Sequence, residues 1–249
     1  RLAALQAIQT IVNTEIAYYN GLTVAPPSPT LSLITNEYAH WNPNDTKAIR
    51  SDIWDVTSGS LFQYSDGRYW TGIPDNVNPN ITSSNGTDSA VFRANTKNYG
   101  YQNVTVSFDY IKNGMVTTAS TPAVNWDGGH IFLRRLSEYN LYYVSFDRRD
   151  GLALIKKKCV GGTENGGTYY TLTPSPIPSH PILAGVSHKI SASIVTNSNN
   201  SVTVKLFDNG SLVTQATDSG TGCVAITGTG STGIRGDNLN FTFSNFTIL

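Results

Sequence analysis

Apolar and polar side chains alternate along most of the chain, as they do in strands buried on one face. The alternation is plain at Val104-Thr-Val-Ser-Phe-Asp-Tyr110, Ile190-Ser-Ala-Ser-Ile194 and Val202-Thr-Val-Lys-Leu206. It returns at Leu239-Asn-Phe-Thr-Phe243 and continues through Phe246 and Ile248. A further strand pair is predicted at His130 to Leu136 and Asn140 to Asp147, followed by Leu152 to Lys158. Turn chemistry separates these runs at Lys112-Asn113-Gly114, Asp150-Gly151, Asp208-Asn209-Gly210 and Gly236-Asp237-Asn238. One segment differs. Leu2, Leu5, Ile8, Ile11, Val12 and Ile16 recur at helical spacing, so a short N-terminal α-helix is predicted within residues 1–20. Asn20-Gly21 would stop it, and residues 21–35, with Ala25-Pro26-Pro27-Ser28-Pro29, read as a stiff connector. The pattern predicts an all-β chain of one domain, residues 1–249, built as a two-sheet antiparallel β-sandwich of the jelly-roll kind.

Composition narrows the function classes. Lysine plus arginine number 17 and aspartate plus glutamate 17, and charged residues make up only 14%. A balanced, weakly charged chain is neither a basic nucleic-acid binder nor an acidic disordered tail. No apolar run reaches membrane-span length, so no membrane partner is expected. Asn44, Asn80, Asn85, Asn103, Asn199, Asn209, Asn240 and Asn245 each head an Asn-x-Ser/Thr acceptor. Together with Cys159 and Cys223, they suggest a secreted, extracellular glycoprotein. The two cysteines are expected to form one disulfide, the alternative being two buried thiols. The first residue is Arg1 rather than methionine, so a processed form is expected.

The stretch from His130 through Tyr143 to Asp147, turning at Asp150-Gly151 into Ile155, resembles the central meander of the concanavalin A-like (laminin G-like) superfamily. Thr232-Gly233-Ile234-Arg235-Gly236-Asp237-Asn238, followed by Phe241, Phe243 and Phe246, is similar to its last two strands. The resemblance covers roughly residues 90–249. It implies a jelly roll, and a function among lectins, binding modules, glucanases and secreted polysaccharide lyases. It specifies fold far better than function.

Strand parity assigns candidate side chains to faces. With Ile131 and Leu133 in the core, His130, Phe132 and Arg134 share the other face. With Tyr142, Val144 and Phe146 inside, Leu141, Tyr143, Ser145 and Asp147 lie outside, as does Asp109 on the strand from Val104. Residues 134–158 carry seven basic side chains against three acidic ones, a local positive field suited to a uronate glycan. β-Elimination needs a cation on the uronate carboxylate, a base for the C5 proton and an acid for the leaving oxygen. Arg134, His130 and Tyr143 are the predicted catalytic residues, with Asp109, Tyr142, Ser145, Lys156 and Lys158 as substrate contacts.

Rival readings stay open. The Glu-x-Asp-x-x-Glu string of the superfamily's glucanases is missing, and there are only four glutamates. A hydrolase would therefore rest on an Asp pair such as Asp109 with Asp147. A lectin-like module would use the same groove without cleavage. The lyase strings Arg-x-Glu-x-Arg and Gln-x-His are missing too. Aromatic segments at His40 to Pro43 and Tyr64 to Trp70 could stack on sugars or plug the sandwich ends. No cofactor is expected to be required. A structural calcium on Asp127, Asp237 and Asn238, a feature the resemblance suggests, is possible. The expected partner is an anionic poly- or oligosaccharide, and the expected state is a monomer.

Overall fold

Apolar alternation of this density can be buried only if two sheets face each other, and they do. A computed structural model describes residues 30–36, 51–72, 91–118, 121–164 and 166–249. Over these residues fifteen strands form two antiparallel sheets, and no helix occurs among them. The eight-stranded sheet comprises β1 (Leu31–Asn36), β3 (Ser60–Tyr64), β4 (Tyr69–Trp70), β15 (Leu239–Ile248), β6 (Val104–Met115), β11 (Ser187–Thr196), β12 (Val202–Asp208) and β13 (Ser211–Asp218), in that order. The seven-stranded sheet runs β10 (Gly167–Thr171), β9 (Leu154–Glu164), β8 (Asn140–Arg148), β7 (Gly128–Ser137), β14 (Ser231–Asp237), β5 (Val91–Thr96) and β2 (Trp54–Ser58). The predicted helix over residues 1–20 lies outside the described residues. Two expectations are corrected. The last part of the predicted connector is strand β1, and the predicted turn at Lys112 to Gly114 lies inside β6, whose pairing with β15 continues to Met115.

The core follows the alternation. Phe108 and Tyr110 of β6 meet Phe146 of β8 edge to face, with centroids 5.8 and 4.9 Å apart, and Phe241 and Phe243 of β15 complete the cluster. Each such contact adds about 0.5–1.5 kcal/mol beyond the area it buries. Cys159 of β9 and Cys223 form the expected disulfide, with Cα atoms 6.1 Å apart. It ties β9 to the loop between β13 and β14.

Two β-bulges decide what faces outward. On β7 the register slips between Leu133 and Ser137, and Arg134 adopts a φ of 45°. Leu133 and Arg134 therefore both turn inward, and Arg135 takes the outer face. Gly230 allows this: a Cβ there would lie 2.5 Å from the Arg134 carbonyl carbon. On β8 the slip falls opposite Gly129 and His130. It turns Asp147 inward, where its carboxylate accepts hydrogen bonds from Tyr110 Oη (2.6 Å) and Lys112 Nζ (2.7 Å). Arg148 points outward instead. A one-residue slip reverses every later side chain, and hydrophobic spacing carries no sign of it.

Candidate functional site

The outer face of β7, β8, β9, β10, β14 and β5 forms a groove of about 390 Å³. Five basic side chains line it (Arg93, Arg148, Lys156, Lys158 and Arg235), against Glu138, Glu164 and Asp237. Tyr143, Tyr169 and Trp126 supply its aromatic surface.

The lysine run 156–158 divides by parity. Lys157 points inward, fully buried, with Nζ 2.7 Å from Asp218 Oδ2 and 2.6 Å from the Cys223 carbonyl. Lys156 and Lys158 point into the groove. Lys158 is only 3% exposed, and its ammonium lies 4.8 Å from the Tyr169 ring centroid. No carboxylate pairs with it among the described residues. Burial, reinforced by the nearby Arg235 charge, lowers its pKa to about 8.

Arg235 stands directly between Arg93 on β5 and His130 on β7. Its Nε donates to Asp237 Oδ1 at 2.7 Å, so one edge of the guanidinium is fixed. The Nη groups are left to the groove. Burial would raise the Asp237 carboxyl, but Arg235 and His130 outweigh it and hold the pKa at about 2. The same balance applies at Glu138. Burial opposes ionisation there, yet ion pairs with Arg93 and Arg135 bring the pKa to about 2. Both carboxylates are therefore ions throughout the neutral range, each already engaged with arginine.

His130 lies beneath this surface rather than on it. Its ring is fully buried, Nδ1 is 3.0 Å from Ser145 Oγ, and Nε2 is 3.4 Å from Asp237 Oδ2. Burial lowers its pKa, so the ring is neutral. Tyr143 stacks on it with centroids 4.4 Å apart and packs edge-on against Tyr169. Burial raises the Tyr143 phenol well above its ordinary value, despite the opposing pull of Arg235. Tyr143 is thus a neutral hydroxyl at the groove floor.

Several predicted site residues lie elsewhere. Arg134 is turned between the sheets, where Nε, Nη1 and Nη2 donate to Gln102 O, Ile226 O and Asn103 Oδ1 at 2.8, 2.7 and 3.0 Å. Asp109 is on the outer face of the other sheet, accepting from Asn245 Nδ2 at 2.6 Å. Tyr142 faces the core and donates to Asp218 Oδ2 at 2.7 Å. Ser145 is fully buried under His130. Asp109 and Asp147 lie on different sheets, one outside and one inside the sandwich, so they form no catalytic pair. Of the suggested calcium ligands, Asp127 and Asn238 meet while Asp237 turns away from them. Asp127 is paired with Arg149 at 3.0 Å and accepts from Asn238 Nδ2 at 3.2 Å, whereas Asp237 faces the groove. Trp70 belongs to the eight-stranded sheet, tilted on Phe62 with its Nε1 donating to Asn240 Oδ1 at 2.7 Å. The His40 to Pro43 segment lies outside the described residues, as do Asn44, Asn80 and Asn85.

Arg235 and Asp237, the latter suggested only as a calcium ligand, line the groove together with Arg148, Arg93, Tyr169 and Trp126, and none of them is among the predicted catalytic or substrate-contact residues. One signal was present for the first two. In Ile234-Arg235-Gly236-Asp237 an apolar residue beside glycines sets both charges on one face of a strand. Arg148 depended on the β8 bulge, and Arg93 on a pairing 142 positions distant in the chain, with Arg235.

No protein-family model and no curated protein matches this sequence. Solved structures do. The carbohydrate binding module CBM66 from Bacillus subtilis matches with a TM-score of 0.52 at 14% identity, over 80% of this chain and 98% of that one. A protein of unknown function with a galectin-like fold, also from Bacillus subtilis, matches with a TM-score of 0.51 at 9% identity, over 87% and 95%. At such identities the likeness is one of fold. The chain shares their fold, the two-sheet antiparallel β-sandwich that its sequence leads one to expect.

Proposed function

We propose that the groove binds an anionic, uronate-containing glycan and cleaves it by β-elimination, in a secreted, monomeric protein. The observation that carries this reading is Lys158: a cation 97% withdrawn from solvent, aimed into the groove, with no carboxylate partner among the described residues. Burying an unpaired ammonium costs free energy that an anionic ligand would offset. The occurrence of this fold in a carbohydrate binding module supports a glycan as the ligand.

Each requirement of the chemistry has a candidate. Arg235 offers its Nη edge to the uronate carboxylate, spreading the negative charge that develops when C5 loses its proton. Lys158, near pKa 8, is partly a free amine at neutral pH and accepts that proton. The electron pair forms the C4–C5 double bond, the C4–oxygen bond breaks, and the Tyr143 phenol protonates the departing oxygen. Lys156 adds positive charge. His130 supports Tyr143 from below rather than touching substrate. Glu138 and Asp237, both held as ions, have no proton to give a leaving group, which weighs against a carboxylic acid hydrolase.

Incubation with a panel of polyuronides and neutral glucans tests the proposal. An ultraviolet-absorbing unsaturated product from a uronate is expected. Reducing ends without that absorbance would mean hydrolysis, and retention without product would leave glycan binding as the function. No interaction with any glycan would overturn the reading entirely.

A further inference from the structure

Three of the tryptophans fall among the described residues, and their environments differ. Trp54 is buried in the core at 4% exposure, and Trp70 is half-buried with its indole N–H satisfied. Trp126 is 59% exposed at the rim of the groove, beside Arg148, Arg235 and Asp237. Exposed tryptophan forgoes a large burial term, and a solitary one can be incidental. Here the backbone that carries it is fixed with unusual care.

The turn from Val124 to Asp127 is closed by its own hydrogen bonds: Asp127 N–H donates to the Val124 carbonyl (3.1 Å), and Val124 N–H to Asp127 Oδ2 (3.0 Å). Two other segments grip it from outside. Asp150 N–H donates to the Asn125 carbonyl at 3.2 Å and Arg149 N–H to the Asp127 carbonyl at 2.7 Å. Arg149 Nε and Asn238 Nδ2 reach Asp127 Oδ2 at 3.0 and 3.2 Å. Residues on both sides of Trp126 are thus locked, while the indole itself packs away from the core. A rigid, wet aromatic at a groove mouth loses little conformational entropy when a flat apolar ligand face covers it.

Lys158 and Trp126 mark opposite ends. Lys158 pairs with Leu141 and the rim lies at Arg148, seven residues farther along β8. With one of the seven taken up by the β8 bulge, about six steps of 3.3 Å make roughly 20 Å of strand. Side chains reaching inward shorten the span, but one sugar ring would not bridge it. We infer that Trp126 is a stacking platform for a second, outlying sugar ring, so that the groove selects an extended oligosaccharide over a single uronate unit. The inference rests on the reading of the groove as a glycan site. It adds a requirement for chain length and an apolar ring face, neither of which the charged residues impose.

Calorimetric titration of the parent, Trp126→Ala and Trp126→Phe with a disaccharide and a hexasaccharide, from both a polyuronide and a neutral glucan, tests it. Trp126 is exposed, so both variants should fold, which circular dichroism checks. Trp126→Ala is expected to weaken hexasaccharide binding about tenfold, with disaccharide affinity unchanged and most of the loss recovered in Trp126→Phe. Equal affinity of parent and Trp126→Ala at both lengths overturns the platform while leaving the anionic reading intact. Binding of neutral oligomers alone, still weakened by Trp126→Ala, keeps the platform and removes the anionic reading. If the parent binds none of these sugars, both fall.

Discussion

His130 and Tyr143 stack face to face, centroids 4.4 Å apart and planes inclined by 29°. The order of the pair matters. The imidazole is sealed below and the phenol forms the groove floor, so a residue type usually associated with proton transfer serves here as a shelf. Removing the shelf should disturb Tyr143 without deleting a substrate contact.

The buried imidazole also sets a pH response. Its folded pKa is depressed below the ordinary 6.5 by burial. Just below pH 6.5 the unfolded chain therefore binds a proton that the folded chain resists. Stability is full above that value and falls as pH drops through it. Thermal melts of the parent should show Tm declining below about pH 6.5, and His130→Gln should flatten that decline. An identical slope in both proteins would remove His130 as its source. A separate loss belongs to Glu138, held at about 2. Its contribution is present above the ordinary carboxylate range and disappears as pH falls toward 2, and Glu138→Gln should lack it.

Arg134 and Arg235 should separate stability from ligand affinity. Arg134→Ala leaves the buried Ile226 carbonyl, the Gln102 carbonyl and the Asn103 side-chain oxygen without this donor. A loss of about 3 kcal/mol in urea unfolding is expected, with little change in affinity among folded molecules. Arg235→Ala should weaken polyuronide binding roughly tenfold to a hundredfold. The residual binding should also depend less on salt. The reverse pattern, with Arg134 governing affinity, would contradict the bulge on β7.

Lys158 has a role that one substitution can divide. With its pKa near 8, kcat/KM on a polyuronide should climb with pH and level off above about 8. Lys158→Arg keeps a positive charge but cannot release a proton in this range. It should bind the glycan yet turn it over at least tenfold more slowly. Undiminished turnover would reassign Lys158 to charge neutralisation alone.

The Cys159–Cys223 bridge closes a separation of 64 residues. In the chain-entropy model that stabilises by about 4 kcal/mol. Replacing both cysteines with serine should lower the urea midpoint accordingly, and mass analysis without reductant should find no free thiol. A midpoint unchanged by the double substitution would show that the bridge restrains little of the unfolded chain.

The sequence by itself determined seven of the strands, β6 to β9, β11, β12 and β15, and most of their core side chains. Burial on one face imposes a period of two, as in Val202-Thr-Val-Lys-Leu206, where buried and half-buried positions alternate without exception. It also placed Lys156 and Lys158 on one face, because no irregularity falls between them, and it paired the only two cysteines. It could not place Arg134 or Asp147. Each follows a bulge, and inserting one residue reverses parity while leaving the apolar pattern readable as an unbroken strand. Nor could it bring Arg93 and Glu138 together with Arg235, because contacts across 45 and 142 positions depend on strand order, which alternation does not encode. The tertiary structure decided those facings and neighbours, and so put Arg235 in the groove and Arg134 between the sheets.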